Sequence, residues 1–92
     1  MPTLNLDELR NQIDDIDTQI TDLFKKRMEI ALEVAKYKKE NNIPVLNNKR
    51  EKEVLQKVSE QIGEPLDKYA RQVFETLFDV SKSYQNEYLS QK

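Results

Sequence analysis

Residues 6–40 read LDELRNQIDDIDTQITDLFKKRMEIALEVAKYKKE, a stretch without a single glycine or proline. Within it Leu6, Leu9, Ile13, Ile16, Ile20, Leu23, Arg27, Ile30, Val34 and Tyr37 follow one another at alternating steps of 3 and 4 residues. That is the rhythm of a helical seam, apolar at every position but Arg27. A helix of this length extends about 50 Å at 1.5 Å per residue, whereas a compact chain of 92 residues is only about 30 Å across. Its far half therefore has to lie against something other than its own chain, and the simplest cover is the same helix from a second copy. The seam predicts an all-α protein with a very long first helix, assembled as a homodimer with shared cores.

Outward from this stretch, the breaks fall at Pro44 and at Gly63-Glu64-Pro65. They leave helices at about 6–40, 48–62 and 67–89 in one domain spanning 1–92. The second helix opens at Asn47-Asn48-Lys49-Arg50-Glu51, where an Asn cap with Glu three positions on resembles a capping box. It is expected to bury Val54, Leu55, Val58 and Ile62, with Gly63 in the position after the last turn and Pro65 stopping further winding. The third carries Ala70, Val73, Phe74, Leu77, Phe78, Val80, Tyr84 and Tyr88 on one face, with Ser81 and Gln85 on or beside that stripe. Those two are polar where packing alone prefers apolar residues.

The composition excludes much chemistry. There is no Cys and no His, hence no thiolate, no disulfide framework and no imidazole base or ligand. Serine-triad, cysteine-protease, zinc-finger and zinc-hydrolase mechanisms are ruled out, and no metal site is expected. The charge is nearly balanced, 15 Lys+Arg against 17 Asp+Glu, which argues against a nucleic-acid surface. Neither a membrane span nor a secretory leader is expected from the hydropathy pattern, so the reading is a cytoplasmic, soluble protein.

Three cations then stand out. Arg27 interrupts the seam, and a guanidinium buried there needs an anion, whether Asp22, Glu29 or a ligand, unless it snorkels to water. Lys38 lies eleven residues on, about 20° out of phase, so both share a face with the small Ala31 between them. Arg10 is on the same flank but about 40 Å from Lys38 along the helix. It can approach Lys38 only from the partner in an antiparallel dimer.

Taken together, Leu9-Arg10, Ile13, Ile16-Asp17, Leu23, Arg27, Ala31, Val34, Lys36, Lys38, Pro44-Val45, Arg50-Glu51 and Leu55, with Ser81 and Gln85 four apart on the last helix, resemble the all-helical chorismate mutases of the AroQ class. The resemblance covers most of the chain. It implies an intertwined dimer with two composite active sites, and conversion of chorismate to prephenate on the way to Phe and Tyr. By position it implies that Arg27 and Arg10 of the partner subunit hold the substrate carboxylates, with Ser81 helping. Lys38 and Gln85 would donate to the ether oxygen, and Glu51, beside Arg50, would accept from the ring hydroxyl. Asn47 stands where well-known bacterial members carry an Asp near that hydroxyl; its amide can still accept a hydrogen bond.

A Claisen rearrangement needs no nucleophile, base, metal or cofactor, so the absence of His and Cys costs nothing. No cofactor is expected. The enzyme is expected to stand alone, although association with another enzyme of the pathway stays open. Two other readings compete: an isochorismate–pyruvate lyase with a similar cationic pocket, and a non-catalytic helical dimerisation or regulatory module. The Arg50-Glu51 pair favours the mutase over the lyase.

Overall fold

The structure, a computed structural model, describes residues 5–90. It is all-helical, with α1 at Leu6–Glu40, α2 at Asn48–Ile62 and α3 at Asp67–Ser90, matching the breaks expected at Pro44 and Gly63. Among the described residues no helix is long and apolar enough to cross a membrane. The chain divides between Ile30 and Ala31 into two units, and the division tracks burial. From Leu6 to Ile30 no side chain is buried, and only Arg27 and Met28 are partly covered. Leu6, Leu9, Ile13, Ile16, Ile20 and Leu23 are each between 42% and 64% exposed. One helix without tertiary cover is marginal in water, so this unit is not a free-standing domain.

Caps explain where the helices begin and end. At the start of α1 the Asn5 side chain accepts from the Glu8 backbone N–H at 2.9 Å, and Asp7 and Glu8 place negative charge in the first turn. α1 ends at Glu40, as expected, and the turn that follows, two residues before Pro44, centres on Asn42, whose φ of 57° lies in the left-handed region. Around it the Ile43 N–H reaches the Lys38 carbonyl at 2.7 Å and the Asn42 N–H the Lys39 carbonyl at 3.3 Å. This paired pattern closes a Schellman motif, and asparagine tolerates the conformation because its short polar side chain relieves part of the Cβ penalty.

The second unit contains the remainder of α1 together with α2 and α3. Gly63 has a φ of 69° and its N–H closes back on the Ser59 carbonyl at 3.0 Å, so α2 stops where expected. Four residues later α3 begins, and the short link makes the two helices an antiparallel pair. The register is visible in two contacts: Arg71 Nε donates to Ser59 Oγ at 3.3 Å, and Lys82 Nζ lies 3.0 Å from Glu51 Oε2. Phe74 and Phe78 meet edge to face with centroids 6.4 Å apart.

The buried core of this unit is small. Ala31, Ala35 and Phe78 are its buried apolar residues, and Ser81 and Gln85 are as deeply buried as Phe78. Two expectations need correction. The α2 residues Val54, Leu55 and Val58 are only half-buried and Ile62 is exposed, because a two-helix contact covers one narrow side of a helix. On α3, Val73, Val80 and Tyr84 are likewise exposed.

Candidate active site

The polar core of the second unit is built by the facing small residues of α1 and polar residues of α3. Ala31 and Ala35 leave room for longer side chains, and Gln85 fills it by donating from Nε2 to the Ala31 carbonyl at 2.8 Å. That carbonyl lies inside a helix, so the bond adds a second donor to an acceptor already used by the ladder. An amide nitrogen carries two hydrogens; one is fixed on Ala31 and the other is available to a ligand. Ser81, one turn earlier on α3, is buried beside it.

Lys38 is held in a comparable way. Its ammonium donates to the Val45 carbonyl at 3.0 Å and is partly buried, and the Asn42 turn is what brings residue 45 back to it. One of three ammonium hydrogens is thereby used, which restricts the long side chain while leaving donors for an anion. Thus the two residues expected to act on an ether oxygen, Lys38 and Gln85, are each tethered to a backbone carbonyl.

The start of α2 differs from expectation. The cap is Asn47, whose side-chain oxygen accepts from the Arg50 N–H at 3.0 Å. Glu51 is therefore four residues past the cap rather than three, and no capping box forms. Its carboxylate is released from the helix start and reaches across to Lys82. The Arg50 side chain is exposed and 4.0 Å from Glu53, a surface pair of little energetic weight. A groove of about 370 Å³ between α2 and α3 is lined by Glu51, Lys52, Leu55, Glu75, Phe78 and Asp79, among others. Its acidic lining does not suit a dianion, so it is not the pocket that the cations describe.

In the first unit Arg27 is half-buried on α1 and Arg10 is exposed. Of the expected site residues, Lys38, Asn47, Arg50, Glu51, Ser81 and Gln85 lie in the second unit. The sequence reading did not anticipate the pairing of Lys82 with Glu51; the Gly63 turn and the antiparallel register would have placed the two opposite each other.

Comparison with known proteins gives the family. The model of the family described as chorismate mutase type II matches residues 9–86. The chain belongs to that family. A chorismate mutase from Methanocaldococcus jannaschii is 30% identical over 88 residues, 94% of this chain and 89% of the relative. A T-protein from Enterobacter agglomerans is 37% identical over 65 residues, 67% of this chain but 17% of that protein. Among solved structures, a conserved hypothetical protein from Pyrococcus furiosus is 43% identical with a TM-score of 0.75, covering 91% of this chain and 99% of the other. The matched span of the family model includes every residue singled out above as a site candidate, from Arg10 to Gln85.

Proposed function

We propose that this chain converts chorismate to prephenate by folding the substrate dianion into a compact geometry and stabilising charge on its breaking ether bond. The family and its named relative make the chain an isomerase of the chorismate mutase type; the proposal concerns how its residues act. The observation that carries it is the burial of Gln85, an amide 7% exposed and fixed to the Ala31 carbonyl. A buried polar group in so small a core is costly unless satisfied, and here the fixed amide is pre-aimed.

In this reading Arg27 and Arg10 of the partner subunit bind the two carboxylates, for which a guanidinium offers paired donors. Ser81 assists one of them. Lys38 and Gln85 donate to the ether oxygen, which gains negative charge as the C–O bond breaks while the new C–C bond forms. Donors already held by Val45 and Ala31 need little reorganisation at that moment. Glu51 accepts from the ring hydroxyl, with Asn47 and Arg50 at the helix start beside it. Confinement of a flexible substrate supplies a further part of the rate. No proton is transferred and no covalent intermediate forms.

The same reading makes the protein a homodimer of one-domain chains in the cytoplasm. Seven exposed Leu and Ile residues on α1 support the dimer: covering each is worth about 1.5–3 kcal/mol before the cost of association. The test is to supply chorismate and, separately, isochorismate and to follow prephenate, pyruvate and salicylate by NMR. Prephenate from chorismate is the expected result. Pyruvate with salicylate from isochorismate alone would move the assignment to a lyase, and no turnover of either would leave a helical binding module.

A further inference from the structure

The ion pair between Lys82 on α3 and Glu51 on α2 is not needed to join the helices, because Arg71 and Ser59 already cross the same contact. Its Nζ–Oε2 separation is 3.0 Å and both side chains are about one-quarter exposed, at 26% and 25%. Lys82 also lies 3.9 Å from Asp79, but that carboxylate is 79% exposed and one turn away on the same helix. Such a pair contributes little, so Glu51 is the partner that fixes the lysine. Lys82 sits next to Ser81 and three residues before Gln85 in sequence, two of the buried polar residues of the site. If Glu51 accepts from the substrate hydroxyl, its negative charge faces a dianion unless a cation offsets it, and Lys82 is the cation in contact with it.

We infer that Lys82 is a positioning residue for the rearrangement: by pairing with one oxygen of Glu51 it offsets that carboxylate's charge and orients the other oxygen to accept from the substrate hydroxyl. The inference rests on the proposed placement of Glu51 at that hydroxyl. The hydroxyl does not react, so its hydrogen bond is present before and during the bond exchange. Interactions of that kind change KM and leave kcat nearly unaltered. Unopposed, the Glu51 carboxylate also repels the approaching dianion.

The experiment is a double-mutant cycle on the full chain, with KM and kcat for chorismate measured for the parent, Lys82→Met, Glu51→Gln and the double variant. Lys82→Met is expected to raise KM about tenfold with kcat within about twofold, and in the Glu51→Gln background to change KM by less than about twofold. Lys82→Arg, which keeps charge and reach, is expected to restore the parent KM, and Asp79→Asn to leave it unaltered. Equal KM penalties for Lys82→Met in both backgrounds would overturn the inference, because the lysine would then not act through Glu51. Failure of Lys82→Arg to rescue a well-folded Lys82→Met defect would do the same. A Glu51→Gln variant with parental KM and kcat would instead remove Glu51 from the site, and the positioning role would fall with that reading.

Discussion

The two ends of α1 belong to the same helix and meet opposite fates. From Leu6 to Ile30 the helix displays an apolar seam, broken only by Arg27, with nothing buried; from Ala31 onward Val34 and Tyr37 stay exposed, but the small Ala31 and Ala35 are buried, and the Ala31 carbonyl accepts from Gln85 of α3. Large side chains at 3 and 4 spacing make a surface for broad, non-directional association. Small ones admit close approach, so that the Gln85 amide of α3 reaches a backbone carbonyl of α1. In the proposed reading one half of the helix serves assembly and the other the site.

The contrast can be broken most severely at the seam. Ile16→Lys combined with Leu23→Lys puts two ammonium groups in place of exposed apolar residues, and should weaken dimerisation by a factor of about 10³ or more and abolish activity. Sedimentation velocity across a dilution series checks this. A variant that remains dimeric and active at micromolar concentration would remove the seam from the interface.

Next in size is Lys38→Ala, expected to lower kcat about a hundredfold through loss of a transition-state donor, with the oligomeric state unaltered. Mixing it with inactive Arg10→Ala chains sharpens the comparison, since a heterodimer would contain one site with both residues intact. Partial recovery of turnover is expected. Absence of recovery after demonstrated subunit exchange would argue that Arg10 does not cross between chains.

Gln85→Leu tests the polar core directly. It replaces a satisfied amide by an apolar side chain of similar size and, because the Ala31 carbonyl keeps its bond within α1, should reduce stability by no more than about 0.5–1.5 kcal/mol, with a loss of turnover beyond that. Urea unfolding at fixed protein concentration reads the first effect and initial rates the second. A variant as stable as the parent, yet inactive, would show the hydrogen bond to Ala31 to be functional rather than structural.

The smallest expected effect lies at the turn after α1. Asn42→Val forces a β-branched residue into the left-handed region and should destabilise by about 1–2 kcal/mol, whereas Asn42→Gly should be neutral or slightly favourable. Thermal unfolding at fixed concentration separates them. Equal melting temperatures would mean that the turn relaxes to another conformation.

The helices were legible because their signals are local. A glycine-free and proline-free run with heptad spacing, and breaks at Pro44 and Gly63, lie entirely in the sequence. The intruding Arg27 and the buried Ser81 and Gln85 were equally legible as polar residues on apolar stripes. Less legible were the local choices between neighbours of one type: which asparagine caps α2, and which centres the turn after α1. Asn47 and Asn48 have the same chemistry, and only the path of the loop from Ile43 decides that Asn47 takes the cap.

By itself, then, the sequence determined an all-α chain, the extents of its helices and the residue types of a candidate cationic site, because periodicity and residue chemistry need no knowledge of distant neighbours. The tertiary structure alone decided that Gln85 is satisfied by Ala31, that Lys38 is tethered by Val45 and that Glu51 faces Lys82. Each of those pairs depends on the register between two helices or on the return of a loop. Register is set by how whole faces pack, and no single residue encodes it.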